Sequence, residues 1–118
     1  MLRILVVEDN PDLRETLSLL LEADDRHIEA AANAEDALRL YTAQPFDVVF
    51  SDVKLPGMSG LELAERLRAT TPSPWIVMSS GAAVPELTPE AKARTRFLGK
   101  PFAMELLDAL LAEFEADR

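Results

Sequence analysis

Residues 48–52 read Val-Val-Phe-Ser-Asp, an apolar run that closes on a single carboxylate, Asp52. Its Val/Phe content shows no alternation of apolar and polar positions. Such a run has no face to offer to water, so it reads as a strand buried on both sides, the hallmark of a parallel sheet covered by helices. The turn residues Pro56-Gly57 follow, and then a helix start at Ser59. Asp52 therefore stands at the carboxyl end of its strand. In open parallel sheets ligands bind just outside those ends, which makes Asp52 a candidate site residue. The alternative is that Asp52 only opens a turn, as aspartate often does.

The rest of the chain repeats the pattern. Ile4-Leu5-Val6-Val7 is a second buried run, and it ends in Glu8 and Asp9. Asn10-Pro11 suits a helix start, Asn as the cap and Pro in the first turn. Leu13, Leu17, Leu20 and Leu21 then recur at helical spacing and predict the buried face. His27 to Ala31 alternates weakly and predicts a strand. Asn33 caps a second helix with Ala37, Leu38 and Tyr41 inward. Ser59-Gly60-Leu61-Glu62 is a capping-box pattern, and the helix it opens buries Leu61, Ala64 and Leu67 up to about Ala69. Trp75 to Met78 is the fourth strand run and leads into Ser79-Ser80-Gly81. Pro85 and Pro89 interrupt the next segment. They predict loop or turn from Gly81 to Thr88 and an atypically short fourth helix, roughly 89 to 94. Arg96-Phe97-Leu98 is a short fifth strand. Lys100-Pro101-Phe102 turns into a last helix with Leu106, Leu107, Leu110, Leu111 and Phe114 inward.

Strand and helix thus alternate five times, which predicts an α/β fold: a five-stranded parallel sheet, doubly wound, with helices on both faces. At 118 residues the chain makes one domain, 1–118. Its net charge of −9 argues against direct binding of nucleic acid or of an anionic membrane. There is no cysteine and one histidine, so disulfides, thiolate metal sites and histidine-built metal sites are excluded. No apolar stretch approaches the length of a membrane span. The start, Met1-Leu2-Arg3, is no signal peptide and favours a natural N-terminus. A cytoplasmic protein is expected.

The polar groups at the strand ends share one edge: Glu8 with Asp9, Asp52, Ser79, and Lys100. Carboxylates gathered there repel one another, and a hard divalent cation such as Mg²⁺ removes that penalty. Lys100 suits a phosphate and Ser79 offers a hydroxyl to the same anion. Acyl-phosphate chemistry at Asp52 is then plausible. Trp75 begins its strand at the far end, and packing is its expected role. His27 reads as a surface residue.

The chain resembles a response-regulator receiver domain of two-component signalling. The resemblance rests on Val6-Val7-Glu8-Asp9-Asn10, Ser51-Asp52, Leu55-Pro56-Gly57-Met58-Ser59-Gly60, Met78-Ser79-Ser80 and Lys100-Pro101-Phe102, in that order. It implies a flavodoxin-like sheet of order 2-1-3-4-5. It implies Asp52 as phosphoacceptor, and Mg²⁺ held by Glu8, Asp9, Asp52 and the backbone carbonyl of Lys54. Lys100 would contact the phosphoryl group, and the Lys100–Pro101 bond would be cis. Ser79 and Phe97 would be the switch hydroxyl and the switch aromatic. The implied partners are a histidine kinase or histidine phosphotransfer protein and an output partner that the sequence leaves unknown. Such a domain is no enzyme beyond catalysing its own phosphorylation and dephosphorylation.

Ala93-Arg94-Thr95-Arg96 departs from the Gly-Ala pair frequent in the family before strand five. Three alternatives stay open on sequence alone. The domain could be a receiver cut from a longer regulator or hybrid kinase. It could be a pseudo-receiver that works without phosphorylation, although Asp52, Asp9 and Lys100 are all kept. It could be a phosphatase or phosphotransferase with an aspartyl nucleophile, although Lys54 stands where a second acid would be wanted. There is no Gly-x-x-x-x-Gly-Lys loop for a nucleotide.

Overall fold

A strand without a polar face is satisfied only inside a sheet, and Ile4 to Val7 behaves accordingly. The computed structural model describes residues 2–70, 73–80, 89, 93–99 and 104–117. In it β1 (Leu2–Val7) lies between β2 (Arg26–Ala31) and β3 (Val48–Asp52), followed by β4 (Trp75–Ser80) and β5 (Thr95–Gly99). All pairings are parallel and the order is 2-1-3-4-5, as expected for a flavodoxin-like sheet. The described helices are α1 (Pro11–Leu21), α2 (Ala34–Ala43), α3 (Gly60–Arg68) and α4 (Met104–Ala116). The short helix anticipated around 89 to 94, the loop from Gly81 to Thr88 and the Lys100–Pro101 bond fall largely or wholly outside the described residues.

Side chains alternate across each strand, and this sorts the core into two halves. Leu2, Ile4, Val6, Val48, Phe50, Val77 and Leu98 point to one side, against Leu21 of α1 and Leu107, Leu111 and Phe114 of α4. Leu5, Val7, Val49, Ile76 and Met78 point to the other, against Tyr41 of α2 and Leu63, Ala64 and Leu67 of α3. The helix starts are built as the sequence proposes. The Asn10 side chain accepts from the N–H groups of Asp12 and Leu13 with Pro11 in the first turn, Asn33 accepts from Asp36, and Ser59 accepts from Glu62. Each satisfies donors that a helix start would otherwise leave open.

Three inward assignments are corrected. Leu13 and Leu20 of α1 are 49% and 44% exposed, and Leu106 of α4 is 48% exposed. Successive helix residues are about 100° apart, so Leu13 and Leu20 share a direction offset from Leu21. The helix is rolled so that Leu21 is buried and Leu17, Arg14 and Ser18 are half-buried. The anchoring pair is Leu17 and Leu21, one turn apart, both packed on the core. Leu106 flanks the inward stripe of Leu107, Leu110, Leu111 and Phe114 in the same way.

At the amino ends of the strands the last helix is clamped. The Trp75 ring stacks on Phe114 with centroids 4.7 Å apart, and the guanidinium of Arg94 lies 4.5 Å from its centre on β5's side. Asp117 accepts from Trp75 Nε1 at 3.1 Å and from Arg94 at 3.0 Å, and Arg96 pairs with Glu113. Trp75 is thus a packing residue, as expected. His27 is half-buried and lies 2.8 Å from Glu29 at the sheet edge.

Candidate functional site

The same alternation that builds the core delivers the site. Val6, Phe50 and Val77 all face the α1/α4 side. Two residues further along their chains stand Glu8, Asp52 and Ser79, so parity carries all three toward that side of the sheet. Asp52 and Ser79 are register partners on adjacent strands, and the Val53 N–H donates to the Ser79 carbonyl at 3.0 Å. Glu8 continues from β1, its N–H donating to Ala31 O at 3.1 Å.

The result is a cluster of carboxylates. Glu8 is buried, Asp52 is half-buried and Asp9 is exposed, and one oxygen of each lies within 4.8 Å of the others. Carboxylates this close repel, and oxygen-only donors at this spacing suit a hard cation that keeps several waters. The donor set fits Mg²⁺. His27, the chain's single histidine, sits at the opposite end of the sheet beside Arg3, and the chain has no cysteine.

The acid loop is tied down at several points. The Glu8 carboxylate accepts from the Asn10 N–H at 3.2 Å, and the Glu8 carbonyl accepts from the Arg14 guanidinium at 2.9 Å. The loop after Asp52 folds back just as tightly. The Gly60 N–H donates to Val53 O at 2.9 Å, and a Cβ on Gly60 would lie 2.0 Å from the Asp52 carbonyl oxygen. Gly57 takes a positive φ of 74° at the loop's tip, where Glu35 of α2 accepts from the Met58 N–H at 3.4 Å.

The structure thus brings Glu8, Asp9 and Asp52 together, with Ser79 across from Asp52. Lys54 is exposed on the same loop. Phe97 lies on the other side of the sheet, half-buried against the core half that α2 and α3 cover. Lys100 lies outside the described residues. Sequence reasoning passed over Arg14 and Glu35, and named Gly60 only as part of a motif. An arginine six residues after an acid carries no signature of its own. Gly60's role needs the closeness of a backbone that only the folded loop brings near.

Residues 4–112 match the family described as the response regulator receiver domain. Relatives agree over most of the chain. The response regulator receiver protein CpdR of Brucella abortus is 34% identical over 86% of this chain and 87% of its own. The transcriptional activator protein PfeR of Pseudomonas aeruginosa is 33% identical over 98% of this chain, which spans 40% of PfeR's length. Among solved structures, a CheY-like receiver domain from Methylobacillus flagellatus superposes with a TM-score of 0.82 at 32% identity, covering 97% of this chain and 98% of that one. Chemotaxis response regulator CheY4 of Vibrio cholerae superposes with a TM-score of 0.80 at 32% identity, over 97% of this chain and 98% of its own. The chain belongs to the response-regulator receiver family of two-component signalling.

Proposed function

We propose that this domain accepts a phosphoryl group on Asp52 from the phosphohistidine of a histidine kinase or a histidine phosphotransfer protein, in the cytoplasm and with Mg²⁺ bound. The observation that carries the reading is the convergence of Glu8, Asp9 and Asp52 within 4.8 Å at the carboxyl edge of the sheet. Glu8, Asp9, Asp52 and the Lys54 carbonyl would hold the cation, which when bound offsets the charge of the acids and of the incoming phosphate. An oxygen of Asp52 forms the bond to phosphorus while the phosphorus–nitrogen bond breaks, and the departing imidazole keeps that electron pair. Lys100 contacts the phosphoryl oxygens, and Ser79, on the neighbouring strand, donates its hydroxyl to one of them. Phe97, on the strand beside Ser79 and facing the α2/α3 side, is the aromatic that moves with it. A partner-binding face then changes, and an output partner responds. The domain turns over no other substrate: its catalysis is confined to gaining and losing its own phosphoryl group.

Incubation with acetyl phosphate and Mg²⁺, followed by intact-mass measurement, is expected to show one added phosphoryl group. EDTA is expected to prevent it. A protein that stays unmodified with Mg²⁺, or gains the group equally in EDTA, contradicts the reading.

The lifetime of the phospho-form follows from Lys54. This exposed side chain stands two residues beyond Asp52. It is neither carboxylate nor amide, so it cannot accept a hydrogen bond from an attacking water and position it, and its ammonium can shield the phosphoryl group. A long-lived phospho-form is expected, and Lys54→Asn is expected to shorten its half-life several-fold. Wild-type decay within seconds at neutral pH, followed by mass, would contradict this.

A further inference from the structure

Glu8 and Asp9 sit just past the end of a strand, where the ladder no longer serves their backbone. The Glu8 N–H still finds Ala31 O on β2, at 3.1 Å. Its carbonyl, like any backbone oxygen beside a buried side chain, calls for a donor. Arg14, one turn into α1 and half-buried, supplies it: its guanidinium donates to that oxygen at 2.9 Å. The Arg14 backbone is held in the helix: its N–H donates to Asn10 O at 2.9 Å and its carbonyl accepts from the Ser18 hydroxyl at 2.8 Å. The Asn10 N–H in turn donates to the Glu8 carboxylate at 3.2 Å. The peptide that bears two of the three clustered carboxylates is thus pinned through its N–H, its carbonyl and its side chain.

We propose that Arg14 is a positioning residue for the cation site: by holding the Glu8 carbonyl it sets the Glu8–Asp9 carboxylates before the cation arrives. This rests on the reading of the cleft as a Mg²⁺ site. Two effects of Arg14 oppose each other. Its hydrogen bond orders the acids, which tightens cation binding. Its charge repels a cation, which loosens it. Groups that orient metal ligands through hydrogen bonds are typically worth about 10- to 100-fold in metal affinity. A partly solvated charge across an open cleft is screened far more strongly than a direct hydrogen bond. The ordering effect therefore dominates.

Arg14→Lys separates the two, because it keeps the charge and loses the planar fork. Titration of the metal-free wild type and variants with Mg²⁺ by calorimetry tests the proposal. Arg14→Lys and Arg14→Gln are each expected to bind Mg²⁺ about tenfold more weakly. The phosphorylation rate at saturating Mg²⁺ is expected to stay at the wild-type value. Faster amide exchange at Asp9 and Asn10 in the metal-free variants, at unchanged exchange in β3, is the second expected readout and does not depend on cation binding. Arg39→Gln removes a positive charge from α2, where Arg39 pairs with Asp36, and is expected to leave Mg²⁺ affinity unchanged. Wild-type affinity in Arg14→Lys, or tighter binding in Arg14→Gln, overturns the role given to Arg14 while the cleft reading stands. A wild type that binds no Mg²⁺ overturns both.

Discussion

Asp52→Asn is expected to leave the domain folded and unable to gain a phosphoryl group from acetyl phosphate in Mg²⁺. The amide matches the carboxylate in shape, so β3, β4 and the loop after them keep their packing. It loses the anionic oxygen proposed to attack phosphorus, and an amide is too weak a nucleophile to replace it. It also removes one charge from the cluster of Glu8, Asp9 and Asp52, so Mg²⁺ binding is expected to weaken by more than about tenfold. Thermal unfolding, Mg²⁺ titration and intact mass report the three effects separately. A variant that still becomes phosphorylated at the wild-type rate would move the acceptor to another residue and sink the assignment.

Gly60→Ala is expected to produce the largest loss of stability from a single methyl group. The added carbon would lie 2.0 Å from the Asp52 carbonyl oxygen, 3.0 Å from its carbonyl carbon and 3.1 Å from the Met78 methyl. Two of those atoms are backbone of Asp52 itself and cannot step aside. The start of α3 has to lift, breaking the Gly60 N–H to Val53 O bond and displacing Asp52. Overpacking of this kind costs about 3 kcal/mol, or roughly 10 °C in the melting temperature of a domain this size. Phosphorylation is expected to slow with it. Gly57→Ala provides the contrast. There the φ of 74° costs about 1 kcal/mol for an alanine, and the close neighbour is the flexible Glu35 carboxylate at 2.9 Å, which can swing away. Calorimetric melting of the two variants compares them directly, and a Gly57→Ala that melts lower than Gly60→Ala would refute this account of the loop.

The fold was legible because the three central strands declare themselves in the sequence. The apolar runs of β1, β3 and β4, each ending in a polar group, leave few arrangements open once parallel connections and their handedness are fixed. Glu8, Asp52 and Ser79 were legible for the same reason: a residue just past a buried run can only lie at the sheet's carboxyl edge. The helix faces were less legible. On α1 the leucines at 13, 17, 20 and 21 are equivalent by periodicity, and only the roll of the helix decides that Leu21 is buried while Leu13 and Leu20 meet solvent. That roll is set by how the helix seats on β1 and β2, and periodicity within the helix carries no record of it. Arg14 was invisible for a related reason. Its partner is a backbone carbonyl, and any residue type provides one.

The Trp75 clamp has a consequence for observing this molecule. The chain has a single tryptophan, and it opens β4 while Ser79 nears that strand's other end. At about 3.3 Å per residue, roughly 13 Å of buried sheet separates the indole from the serine. The chromophore is wedged between Phe114 and Arg94, so its emission follows the seating of α4 and carries little light from the cleft. Kinetics of the phosphoryl group are better followed by mass or magnetic resonance. The ultraviolet channel then stays free to record unfolding in the same sample.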